Sequence, residues 1–73
     1  MNAPETQRYT LRCRGGLAAN FLADYCPVGT TLTMGQNEFT LANLRTDQAG
    51  LLGILRSLHN RGCTLLSLSV DTN

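Results

Sequence analysis

Covalent catalysis asks for a nucleophile, a base within reach and a third group that orients the base. His59 is the one histidine of the chain and the one side chain that ordinarily titrates near neutrality. It is followed by Asn60 on the polar flank of a predicted helix, with no carboxylate spaced to hold it. Close to a helix C-terminus a protonated imidazole interacts favourably with the dipole, which accounts for the residue without a reaction. Asp24, Glu38 and Asp71 are scattered over predicted loops and ends, so no carboxylate pair for general acid–base work is visible. The spacing predicts no enzyme, no catalytic residue and no cofactor.

Cys13, Cys26 and Cys63 are odd in number, lie 13 and 37 residues apart and form no C-x-x-C pair. That argues against a disulfide framework and for a reducing cytoplasm. His59 and Cys63 alone have metal-like spacing, but Gly62 is expected to end the helix before they share a face. A structural zinc needs four ligands, so no metal site is predicted. Gly15-Gly16, beside Arg12 and Arg14, could bring backbone N–H groups to an anion. Neither G-x-x-x-x-G-K-[ST] nor G-x-G-x-x-G occurs, and the pair reads as turn glycine.

All six basic residues are Arg, which removes lysine chemistry from Schiff bases to the P-loop ammonium. Against five acidic residues they leave a net charge of +1, too weak a field to gather nucleic acid or an anionic membrane. No apolar run approaches the roughly 20 residues of a membrane-spanning helix, and MNAPETQRYT lacks the order of a signal peptide. At 73 residues, 42% hydrophobic and 15% charged, the chain reads as one folded domain rather than a solvating tail. A domain near this size buries only roughly 60% of the surface its unfolded chain exposes. With disulfides and metals set aside, self-association is the supplement left to it.

The elements that must position these residues follow from periodicity. Residues 1–7 carry no pattern and are expected to form a flexible tail ahead of a single domain over residues 8–73. Tyr9, Leu11 and Cys13 alternate with Arg8, Thr10, Arg12 and Arg14, the mark of a strand with one buried face. Leu17, Ala18, Phe21, Leu22 and Tyr25 recur at helical spacing until Cys26-Pro27 stops them. Val28, Leu32 and Met34 share one phase of a second strand; Gly35-Gln36-Asn37 supplies the turn. Phe39 and Leu41 then resume the alternation, which pairs Met34 with Phe39 and Leu32 with Leu41 in a hairpin. Asn43 and Leu44 reverse the phase, as at a bulge or a strand end. Asp47 is placed to cap a helix whose buried stripe is Leu51, Ile54, Leu55 and Leu58, and Gly62 is placed to end it. In the closing strand Leu66, Leu68 and Val70 point inward, Leu65, Ser67 and Ser69 outward, and Asp71-Thr72-Asn73 is a frayed end. Matching inward sets pairs Cys13 with Thr64, Leu11 with Leu66 and Tyr9 with Leu68. It leaves Cys63 on the opposite face near Arg14, where a cation could lower its thiol pKa.

The order is β-α-β-β-α-β. It predicts an α+β ferredoxin-like plait: a four-stranded antiparallel sheet with both helices on one face.

The stretch TDQAGLLGILRSLHNRGCTLLSLSV resembles the C-terminal segment of a group of very short bacterial proteins of no established activity, which carry a DQAALHGLL-like helix, and the likeness extends over Tyr9 to Val70. Asp47-Gln48-Ala49-Gly50-Leu51-Leu52 is also similar to the D-x-x-G-L-L opening of ACT domains, ferredoxin-like modules that bind amino acids and similar effectors at dimer interfaces. ACT domains carry it in the first strand-helix unit, whereas here it lies in the second. The resemblance implies a ligand at Asp47, Gln48 and Gly50; any N-capped first turn of a buried helix would read the same way.

The predicted open face of the sheet gathers Arg8, Arg12 and Arg14 with Thr and Ser hydroxyls, while Tyr9 and Phe39 have the wrong parity to stack bases there. The leading expectation is thus a non-catalytic protein-interaction or regulatory module that forms a homodimer, with Arg8, Arg12, Arg14, Leu65 and Ser67 as its interaction face. Leu65 stands out as an apolar side chain on an otherwise polar face. An ACT-like effector-binding module, and an accessory subunit docking an unidentified protein partner, are the alternatives.

Overall fold

A computed structural model describes residues 5–71. The element order is β1 (Gln7–Arg14), α1 (Asn20–Tyr25), β2 (Thr31–Met34), β3 (Glu38–Thr46), α2 (Gln48–Asn60) and β4 (Thr64–Asp71). The strands form one antiparallel sheet in the order β2-β3-β1-β4. Phe21 of α1 and Leu51, Ile54 and Leu58 of α2 belong to the same core cluster as Tyr9, Leu11, Cys13, Phe39, Leu41 and Leu44 of the sheet. Both helices therefore cover one face, and the other is left to solvent.

β1 is central and obeys its alternation: Tyr9, Leu11 and Cys13 are buried between more exposed neighbours. It begins at Gln7, one residue inside the expected tail, whose first four residues lie outside the described range. The hairpin pairs Leu32 with Leu41 and Met34 with Phe39. Its turn is closed by Gly35 N–H donating to Glu38 O at 2.8 Å, with Asn37 left-handed at φ 58°.

Three segments depart from expectation. Helix α1 spans only Asn20–Tyr25 and has no side-chain N-cap, so Leu17 and Ala18 precede it. Leu17 still packs against the core, but as part of the loop. Val28 is not in β2: Pro27 to Thr30 form a turn in which the Thr30 N–H and hydroxyl both donate to Pro27 O, and Val28 stands fully exposed. Asp71 is not frayed, since it pairs with Arg8 and accepts from Thr10 Oγ1 at 3.0 Å.

Asn43 is a bulge rather than a strand end. Two residues of β3, Ala42 and Asn43, stand against Thr10 of β1, because Leu11 pairs with Leu41 and Tyr9 with Leu44. Asn43 takes φ 56° and its Nδ2 donates to Gly29 O at 3.0 Å. Asn tolerates this left-handed conformation better than most residues. The extra residue resets the phase, so Leu44 is fully buried and β3 continues to Thr46.

Helix α2 is bounded by both expected devices. The Asp47 carboxylate accepts from Gly50 N–H at 2.8 Å, satisfying one of the free donors of the first turn. At the other end Gly62, at φ 84°, donates to His59 O and Cys63 N–H donates to Leu58 O, the paired bonds of a Schellman stop.

Candidate functional site

The uncovered sheet face carries the arginines. Pairing places Arg12 between Thr40 and Ser67, Arg14 between Glu38 and Thr64, and Arg8 between Arg45 and Asp71. Residues directly opposite in an antiparallel ladder share a face, so Arg45 joins Arg8, Arg12 and Arg14 there. Four of the chain's six arginines stand on one face. Arg45 escapes the period-2 reading because the Asn43 bulge lies between it and the residues from which the phase was counted.

Two carboxylates answer these charges. Arg12 Nε meets Glu38 Oε1 at 3.1 Å, both side chains well exposed, and Asp71 occupies the same face beside Arg8. A solvated pair such as Arg12–Glu38 holds little free energy, about 0–1 kcal/mol. The face is a mosaic of hydroxyls and charge, with four arginines against two carboxylates.

Leu65 does not lie on that face. The register of β4 is not the expected one: Cys13 pairs with Leu65, Leu11 with Leu68 and Tyr9 with Val70. The ladder jumps from Ser67 to Leu65, leaving Leu66 as an extra residue, so the leucine doublet is a bulge. Leu65 is thereby in phase with the core-facing set, as are Leu68 and Val70, yet these three are 45%, 42% and 46% exposed. Ser67 keeps to the open face, as expected, but the shifted register sets it opposite Arg12, where the expected pairing put Leu65.

The same slip relocates Cys63. It is buried in the core cluster, with Sγ 3.7 Å from Gly16 O, rather than beside Arg14. Burial, and then the charge that Cys63 would carry, push the Cys13 thiol above its ordinary value. Burial does the same for Cys26. All three are free thiols, and a raised pKa keeps Cys13 and Cys26 in the neutral, weakly nucleophilic form at pH 7.

At the N-terminus of α2 lies a cleft of about 290 Å³ lined by Glu5, Gln7, Tyr9, Asp47, Gln48 and Ala49. Asp47 and Gln48, singled out by the ACT-like motif, do line it. Gly50 does not: a Cβ at that position would collide with Thr46 Oγ1 and crowd Asp47 Oδ1 at 3.2 Å. Its glycine is required by the turn that seats Thr46 and Asp47. A shallower hollow of about 390 Å³ lies where α1 runs into the next turn, between Leu22, Cys26, Pro27 and Val28.

Among the described residues no three His, Cys, Asp or Glu side chains gather as a metal site would require. Among the same residues no helix is long and apolar enough to cross a membrane. No family model, curated protein or solved structure matches the chain.

Proposed function

We propose that the chain is a non-catalytic interaction module of ferredoxin-like plan that associates with itself. The element order and the strand order β2-β3-β1-β4 support that plan. One observation carries the self-association: Leu65, Leu68 and Val70, in phase with the core, are left nearly half exposed on a terminal strand. Leaving such side chains wet forgoes burial that a small domain needs. Sedimentation velocity across the micromolar range tests the reading. A reversible shift from monomer to a higher species is expected; a monomer at every concentration overturns it.

The cleft at α2 favours a second reading, an effector-binding module of the ACT type. Its carboxylates Glu5 and Asp47 and its amides Gln7 and Gln48 offer acceptors and donors suited to the ammonium and carboxylate of an amino acid. A thermal-shift series with the common amino acids tests it, since a ligand of the native state alone must raise the melting temperature. No shift at millimolar ligand rejects it.

A further inference from the structure

Resting on the self-association reading, we propose that two copies join by their β4 strands, antiparallel about a two-fold axis at Leu68, so that two four-stranded sheets become one of eight strands.

Among the described residues β4 ends the sheet and is paired only with β1, so its outer backbone groups have no strand there to bond. Edges of this kind are ordinarily protected by charge, proline, a bulge across the strand or extreme shortness. β4 is eight residues long, contains neither proline nor any charged residue before Asp71, and confines its bulge to Leu66 near one end.

The occupant follows from the polarity of the strand. Opposite residues of an antiparallel pair share a face, so a symmetric pairing must match like with like. An axis at Leu68 sets Leu66 against Val70 of the second copy, Ser67 against Ser69, and Leu68 against itself. Over Leu66 to Val70 each apolar side chain then meets an apolar one, each hydroxyl meets a hydroxyl on the open side, and no like charges face each other; outside that span Leu65, shifted by the bulge, falls opposite Asp71. Moving the axis to Ser67 sets Leu65 against Ser69 and loses the match.

Helix α2 adds to the contact. It packs on β3 and β4, and its C-terminal Arg61 lies over the rings of Phe21 and Tyr25 of α1, 5.0 and 5.1 Å from their centroids. Leu52 precedes Arg61 by nine residues, about two and a half turns, and so looks away from α1, toward the β4 side. It is 53% exposed. Leu52, Leu65, Leu68 and Val70 thus border the same edge. One strand and one helix flank per copy is modest beside the roughly 800 Å² per partner of a standard interface, so the dimer is expected to dissociate in the micromolar range.

A charge exchange at the axis tests the proposal. Leu68→Arg and Leu68→Asp are each made, and their folding is checked by circular dichroism and urea unfolding. Each alone places like charges face to face and should weaken dimerisation by about a hundredfold or more; mixing the two should restore a dimer by sedimentation. If wild type is monomeric throughout, both this inference and the self-association reading fall. If wild type and both variants dimerise equally, the inference falls and the reading stands, because association uses another face. If both variants are folded monomers and the mixture stays monomeric, the axis at Leu68 is wrong. Cross-linking settles the case in which the charged variants do not fold. In a Cys26→Ser background, Leu68→Cys should oxidise to a covalent dimer and Leu65→Cys should not; the reverse overturns the register.

Discussion

Burial holds the Cys13 and Cys26 thiols above their ordinary value of 9.0, and the sign of the stability effect follows. In the unfolded chain these thiols ionise near that value, whereas in the native protein they stay protonated. Between the two pKa values the native state therefore binds more protons, and stability falls as pH rises. Their contribution is complete below about pH 8 and lost progressively above it. Urea midpoints should be insensitive to these thiols from pH 6 to 8 and decline above about pH 9; Cys13→Ala and Cys26→Ala should each flatten that decline. A midpoint that rises with alkali would contradict the burial of these groups. By contrast, Arg12→Ala should change stability by no more than about 0.5 kcal/mol, since both it and its partner Glu38 are exposed to solvent; a loss above about 2 kcal/mol in chemical denaturation would show the open face to be more structured than a solvated pair allows. At this scale Tyr9, Leu11, Cys13, Leu51, Ile54 and Leu58 were legible as core, because each repeats at the period of its element. Arg45 and Cys63 were not, because their faces depend on bulges and register set by other strands.

The segment Thr46 to Gly50 joins a strand to a helix through one small residue. Asp47→Ala removes the acceptor for Gly50 N–H and should cost about 1 kcal/mol. Gly50→Ala drives a methyl into Thr46 Oγ1 and should cost about 1–3 kcal/mol. Thermal denaturation of both, with the double variant Thr46→Ala/Gly50→Ala recovering part of the second loss, separates a filled contact from mere helix propensity, which favours Ala over Gly. At the bulge, Asn43→Val combines a left-handed φ with a β-branched side chain and deletes the bond to Gly29 O; a loss of about 1–2 kcal/mol is expected, and an unchanged melting temperature would mean that the strand slips to another register. Helix α2 was readable from its cap, stripe and glycine stop, all local signals. The Leu65-Leu66 doublet was visible too, but two adjacent apolar residues are equally compatible with an outward leucine and with a bulge. Only the pairing of Cys13 with Leu65 decides. A two-residue slip preserves alternation, so the expected and observed registers of Leu11 look alike along the chain and differ only across it.

For the molecule as a whole, the element order was legible, and so was the division of the sheet into a covered and an open face, because strand and helix periods alternate cleanly along nearly the entire chain. The pairing partners of β4 were not, since they depend on a bulge at Leu66 that alternation along the chain does not reveal. If β4 pairs as proposed, folding and association are coupled, and the melting temperature should climb as protein concentration is raised through the dissociation constant; a concentration-independent transition would separate the two. The short strand β2 then acquires a meaning that the isolated chain does not show. Once two β4 edges have joined, the sheet ends on both sides in β2, only four residues long. An edge so brief gives an incoming strand few bonds to grow on. The assembly closes on itself at two copies instead of propagating into a fibre, and four residues at the far margin of the sheet act as the terminator of a polymer.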